Sequence, residues 1–226
     1  MNIVLQKYIA DSGFCSRRKA EELIRQKKVK INGQIAYLGA RANENDTVLV
    51  NNKKIQATAE KTYIMLNKPA GYTCTNKSFV GEKNIFQLVK TKERLFIVGR
   101  LDKDSHGLVL LTNDGQLAQE LTHPKFKHEK EYIVTINGLK DRKSEDIIRR
   151  FRSGINLGDD LRVKVRNIHY QNHNKFKIIL TEGKKRQIRE MFQVLGLHVN
   201  DLQRIRIDKI KMGSLKEGEW KNLKSI

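Results

Sequence analysis

Cysteine is nearly absent from this chain. Its 226 residues include only Cys15 and Cys74, which stand apart with no CxxC partner and no histidine cluster beside them. That argues against a disulfide framework and a Cys/His zinc site, and makes a reducing cytoplasm the expected setting. Tryptophan occurs once, at Trp220. No stretch approaches the roughly 20 consecutive apolar residues needed to cross a bilayer. The opening Met1–Lys7 lacks a basic region followed by an apolar block, so a signal peptide is not expected.

Negative charge is also scarce. There are 25 Asp and Glu against 45 Lys and Arg, a formal charge of +20. A surplus of that size concentrates polyanions near the surface and speeds their capture, whatever the fold. A binder of anionic membranes would place it on one amphipathic basic helix with bulky apolar residues opposite. Here the basic residues are spread along the whole chain, which favours nucleic acid. With 38% hydrophobic and 31% charged residues, the composition suits a globular protein of one large or two smaller domains.

Residues 3–12 read as a short helix stopped by Gly13, and Ser16 stands where the N-cap of a second helix belongs. Ala20, Leu23 and Ile24 give that second helix its apolar side. Val29 and Ile31 begin a strand, Asn32-Gly33 is a hairpin turn, and a strand at Thr47–Val50 turns at Asn51-Asn52. These elements form a small α/β domain over 1–56. Residues 57–61 carry no bulky apolar side chain and read as a linker. The remainder, 62–226, is dominated by strand-like runs at Tyr63–Leu66, Leu95–Val98, Leu108–Thr112, Glu131–Ile136, Arg162–Tyr170, Lys175–Thr181 and Asp201–Ile207. Helices are expected at 115–122 and 184–195, with a charged segment at 141–152 opened by Asp141. Strands that outnumber helices without alternating with them predict an α+β domain with a mixed, largely antiparallel sheet.

The first domain crowds Arg17, Arg18 and Lys19 at a helix start, with Arg25, Lys27, Lys28 and Lys30 following. Cations at a helix N-terminus are disfavoured by about 0.3–1 kcal/mol each unless an anion is near. A phosphate would relieve them, and free backbone N–H groups would help hold it. A solvated charged face is the competing reading.

The second domain holds the most informative segment, Gly99-Arg100-Leu101-Asp102-Lys103-Asp104-Ser105-His106-Gly107-Leu108, between the apolar runs Phe96–Val98 and Leu108–Leu111. Two carboxylates are thus presented on a connection between core strands. An EF-hand is ruled out because His106 and Asn113 stand where calcium ligands should be. A plain Asp/Gly turn and a catalytic carboxylate remain, the latter kept ionised by a guanidinium such as Arg100. The six histidines show no metal-ligand spacing, so no metal is expected and they read as surface or RNA-contacting residues.

Motifs decide between these readings. Residues 1–55 resemble the S-four-type (αL) RNA-binding domain in Leu5–Ala10, Ser16–Glu21 and Val29–Gly33. Downstream, Leu66-Asn67-Lys68-Pro69-Ala70-Gly71, Gly99–Asp102 with Gly107-Leu108 and Leu111–Gly115, His128–Tyr132, and Glu182–Met191 resemble, in order, the ribosomal RNA pseudouridine synthases that carry such a domain. The resemblance implies isomerisation of a uridine in ribosomal RNA, closest to members acting on 23S RNA. A 16S target is the alternative within the family. Asp102 would be the nucleophile, attacking at the ribose or the base, Tyr132 would stack on the flipped base, and Arg189 would pair with Asp102. Asp104 would orient the loop or form a turn, and is not the expected nucleophile. No cofactor is implied, and the partner would be ribosomal RNA or a subunit precursor, met by a monomer. Arg17, Arg18, Lys19, Arg25, Lys28, Lys68, Arg100, Lys184, Lys185, Arg186, Arg204 and Arg206 are expected to contact RNA. Arg186 and Arg189 would share a helix face, and Arg204 and Arg206 a strand face. Two other classes compete: a non-catalytic assembly factor of the same fold, and a metal-dependent nuclease using Asp102 and Asp104, for which the metal-ligand set is poor.

Overall fold

A computed structural model describes residues 2–56, 60–77, 79–139, 143–158 and 161–226. Buried apolar side chains form one cluster between Leu5 and Ile55 and others from Ile64 onward. The first unit carries β1 (Ile3–Val4), α1 (Leu5–Asp11), α2 (Arg17–Arg25), β2 (Val29–Ile31), β3 (Gln34–Ile35), β4 (Arg41–Ala42), β5 (Val48–Val50) and β6 (Lys53–Ile55). The expected helix over 3–12 therefore starts late, because the β-branched Ile3-Val4 pair extends and joins β4. Ser16 caps α2 by accepting from the Lys19 N–H, and Ala20, Leu23 and Ile24 are buried as their spacing requires. Asn32 and Gly33, like Asn51 and Asn52, have positive φ, which gives the two hairpins their turns. Of the expected linker, 57–59 lie outside the described residues.

The second unit runs through β7 (Tyr63–Lys68), β8 (Phe96–Val98), β9 (His106–Thr112), α3 (Gly115–Thr122), β10 (Lys130–Asn137), α4 (Ser144–Ser153), β11 (Ile155–Asn156), β12 (Arg162–Val163), β13 (Asn167–Asn172), β14 (Lys175–Leu180), α5 (Gln187–Val194), β15 (His198–Ile207), β16 (Ile210–Lys211) and β17 (Trp220–Asn222). The run expected as one strand over Arg162–Tyr170 is two strands, because β12 pairs with β11 while β13 pairs with β14. The charged segment forms α4, and Asp141 lies outside the described residues. None of the described helices is long and apolar enough to cross a membrane.

A nine-stranded sheet dominates, in the order β13-β14-β10-β15-β9-β7-β17, with β8 on β9 and β16 on β15. Among the described residues its strands pair antiparallel except at the central seam, where β9 and β15 run parallel through His106–Gln203 and Gly107–Arg204. The seam is tight. A Cβ at Gly107, whose φ is +104°, would lie 2.3 Å from the Arg204 carbonyl oxygen, so only glycine fits. Helices α4 and α5 cover one face, where Phe192 packs its ring 4.7 Å from that of Phe151 and 5.7 Å from that of Phe176.

Candidate active site

The acidic loop joins β8 to β9, two strands that are paired with each other and anchored in apolar contacts, so both its ends are fixed. Within it the Ser105 N–H donates to the Asp102 carbonyl at 3.1 Å, closing a tight turn. Two buried cations brace the turn from below. Lys68, 0% exposed, donates from Nζ to the carbonyls of Pro69 at 2.8 Å, Tyr72 at 2.9 Å and Lys103 at 3.5 Å. The Gly71 N–H adds a bond to Lys103 O at 2.6 Å, which fastens the Lys-Pro-x-Gly turn to the acidic loop. Arg204, 1% exposed, donates to Gly99 O at 2.6 Å and Leu108 O at 2.7 Å, with a longer contact to Arg100 O at 3.5 Å. Both residues were expected to face RNA, and both are instead internal scaffolding. Burial pushes the Lys68 ammonium below the usual lysine range, and the nearby Asp104 and Asp102 oppose that shift.

Asp102 itself projects outward, its side chain 37% exposed, with Arg186 Nη1 3.9 Å from its Oδ2. Arg186 also clasps Asp104, donating to Oδ1 at 3.2 Å and Oδ2 at 3.1 Å. Arg189, expected to pair with Asp102, does not. Its Nε lies 3.4 Å from Asp104 Oδ2, while its terminal nitrogens donate to Val199 O at 2.9 Å and Asp104 O at 3.2 Å. The reason is local. Helix α5 begins at Gln187, and Arg186 sits at its N-cap in the left-handed region with φ +53°, so the two arginines do not share a helix face. Burial would raise the Asp104 carboxyl, but the hydrogen bond and charge of Arg186 and the charge of Arg189 outweigh it and hold the group below the usual carboxylate range. Arg100 lines the cleft with an exposed side chain, and the ion pair to Asp102 among the described residues comes from Arg186 rather than Arg100.

The loop opens into a cleft of about 770 Å³. Asp102, Arg100 and Arg186 line it together with Lys130, Tyr132, Lys184 and Lys185. Lys130 and Tyr132 are two apart on β10 and so project from the same face of the sheet, with Tyr132 only 7% exposed. Glu131 points the other way. It accepts from Arg206 at 2.7 Å and pairs with Lys177 at 2.8 Å. Arg206 further donates to Glu129 at 3.0 Å and to Asp208 O at 2.7 Å, so its guanidinium is consumed by internal bonds and not offered to RNA. A register shift explains why Arg204 and Arg206 part company: Tyr132 faces Arg204 and Glu131 faces Arg206, which leaves Ile205 as an extra residue. The bulge breaks the alternation that would have put both arginines on one face.

In the first unit Arg17, Arg18, Lys19, Arg25 and Lys28 are all exposed, with Lys19 pairing Glu22 at 2.7 Å. Of the histidines read as surface or RNA-contacting, two are partly buried beside exposed aspartates, His106 at 2.8 Å from Asp201 and His128 at 3.5 Å from Asp208. The described residues contain no group of three or more His, Cys, Asp or Glu side chains able to hold a metal ion. Sequence reasoning missed Lys130 and the bracing roles of Lys68 and Arg204; for Lys130 the signal was present, in its spacing from Tyr132.

A cation-rich small domain ahead of a sheet whose cleft presents Asp102 among several cations is the layout of an RNA-modifying enzyme. Comparison with known proteins makes this specific. Residues 62–194 match the family described as RNA pseudouridylate synthase, and residues 5–48 match the S4 domain. An uncharacterised RNA pseudouridine synthase of Aquifex aeolicus is 38% identical, with 99% of this chain and 91% of that protein covered. The dual-specificity RNA pseudouridine synthase RluF of Escherichia coli K12 is 36% identical, covering 98% of this chain and 76% of its own. The ribosomal large subunit pseudouridine synthase B of Bacillus subtilis is 35% identical over 97% of this chain and 91% of that protein. A crystal structure of a pseudouridylate synthase superposes with a TM-score of 0.71 at 33% identity, over 98% of this chain and 96% of the other. The chain belongs to the RNA pseudouridine synthases that carry an N-terminal S4 domain, intramolecular isomerases acting on RNA.

Proposed function

We propose that this enzyme isomerises a uridine of large-subunit (23S) ribosomal RNA, with Asp102 as its nucleophile and the S4 domain as its main grip on the RNA. The observation that carries the catalytic part is the meeting, in one cleft, of an accessible carboxylate, a tyrosine ring and several cations from separate segments. The loop bearing Asp102 is pinned through its backbone by Lys68 and Arg204, so the carboxylate is held in place without its own oxygens being used up. Arg186 stands 3.9 Å from that carboxylate, a cation beside the proposed nucleophile. Extruding a base from folded RNA costs a few kcal/mol. Stacking on Tyr132 returns about 1–3 kcal/mol of that. Lys184, Lys185, Arg100 and the cations at the start of α2 supply phosphate contacts. The large-subunit target is supported by the Bacillus subtilis relative, whose name states that substrate.

The test is pseudouridine mapping in ribosomal RNA from cells with and without the gene, combined with assays of wild type and Asp102→Asn on 23S, 16S and transfer RNA transcripts. The reading requires a 23S site that vanishes with the gene, wild-type activity on 23S RNA, and no activity but retained binding in Asp102→Asn. A lost site in 16S or transfer RNA alone would move the target. An active Asp102→Asn would remove the proposed nucleophile.

A further inference from the structure

We propose that Lys130 is a catalytic residue, whose ammonium sits against the extruded uracil and holds the negative charge the ring acquires when it is cut from the ribose. The inference rests on the reading of Asp102 given above and adds a second group to it. Whichever atom Asp102 attacks, the base becomes anionic. If the attack is at the sugar, the N1–C1′ bond breaks, its electron pair leaves with the ring, and C1′ becomes bonded to an Asp102 oxygen. C5 of the turned ring then attacks C1′, the carboxylate departs with its own pair, the C5 proton is lost to solvent and N1 takes one up, so no external reactant is consumed. If Asp102 instead adds to the ring, the same charge accumulates on the uracil oxygens. A preorganised cation in a partly dry site is what such a charge requires.

The cleft offers few cations able to do this. Arg204 and Lys68 have their donors committed to loop carbonyls. Arg186 is occupied by Asp104 and Asp102. Arg100, Lys184 and Lys185 are exposed at the rim, and Lys103 is exposed and paired with Glu82 at 3.2 Å. Lys130 differs from all of these. It is partly buried, lines the cleft, and projects from the same face of β10 as Tyr132, the ring placed to stack on the base. Among the described residues no carboxylate forms an ion pair with it, and its one hydrogen bond is a long 3.5 Å contact to His128 O. Burial, and secondarily the charge of Arg204, push its ammonium below the usual lysine range. A cation kept half-dry and unpaired beside a stacking platform has capacity for an anion that the resting protein does not supply.

Single-turnover loss of the starting nucleoside at the target, on a 23S RNA transcript made once with uridine and once with 5-fluorouridine, would decide the matter. The fluorinated ring has no C5 proton to release, so the rate compared is that of N1–C1′ cleavage and not of pseudouridine formation. Fluorine withdraws charge and makes the ring a better leaving group, so it lessens the need for Lys130. Lys130→Met should lose about 100-fold in rate on the uridine transcript, the size expected for one lost charge-stabilising donor, and clearly less on the fluorinated one. RNA affinity should stay within about twofold, and Lys130→Arg should recover part of the rate because it keeps the charge. An equal loss on both transcripts, or full activity in Lys130→Met, would overturn the assignment. A wild-type enzyme inert on 23S RNA would instead refute the substrate reading, and the same comparison would then be made on the RNA that the mapping identifies.

Discussion

Replacing Arg204 with methionine tests the bracing of the acidic loop directly. The substitution keeps much of the side-chain volume and removes the cost of burying a charge, which by itself would be neutral or stabilising. Against that, the carbonyls of Gly99 and Leu108 lose donors at 2.6 and 2.7 Å, the first in a partly buried and the second in a buried setting. Each orphaned carbonyl costs about 1–3 kcal/mol, so the net destabilisation should be about 2–4 kcal/mol. Trp220 is the only tryptophan and packs on the core of the catalytic unit, so its fluorescence reports unfolding of that unit alone. With a urea dependence of about 2–3 kcal/mol per molar, the midpoint should fall by about 1–2 M. Activity measured well below that midpoint should fall as well, through kcat, because the loop that aims Asp102 has lost its anchor. A midpoint within about 0.1 M of wild type, a shift of about 0.2–0.3 kcal/mol on the same slope, would mean that the guanidinium contributes nothing net and that the scaffold argument is wrong.

Two further outcomes follow from the charges. Reversing Arg17 and Arg18 to glutamate should weaken RNA binding and flatten the plot of log affinity against log salt by about 1–2, since each lost phosphate contact removes about 0.7–0.9 of slope; an unchanged slope in filter binding would remove the start of α2 from the interface. Burial tends to raise the Glu131 carboxyl, but hydrogen bonds and charge from Lys177 and Arg206 prevail and lower it. A depressed folded-state pKa contributes stability that is present above the unfolded value, about 4.3, and is lost as pH falls through the folded value. The urea midpoint of wild type should therefore drop more steeply below about pH 4.5 than that of Glu131→Gln, and parallel curves would contradict the pairing.

Patterns of one and two residues carried much of the fold into view from sequence. Ser16 as a cap, the Asn-Gly and Asn-Asn turns and the strand runs depend on local backbone preferences, which a sequence displays. The acidic loop was visible for the same reason, as polar residues and glycines between two apolar runs. What failed depended on a single residue in an unexpected conformation. The extra Ile205 in β15 sent Arg206 to the far face, and the left-handed Arg186 detached itself from α5 and took the place beside Asp102 expected of Arg189. Lys68 and Arg204 misled differently. A basic residue in a cationic protein suggests RNA, yet each is required to satisfy carbonyls that a tight loop leaves without partners. Those carbonyls belong to the tertiary fold and leave no mark on the neighbouring sequence.

The parallel seam between β9 and β15 bears on how the enzyme comes into being. β15 is the central strand between β9 and β10, yet it follows both in the chain. Without it, the borders of β9 and β10 along this seam would lack their partners, and edges of that kind invite pairing with other chains. The same insertion delivers Arg204 to the loop and closes the sheet behind Tyr132. The bracing of the acidic loop therefore depends on β15 being in place.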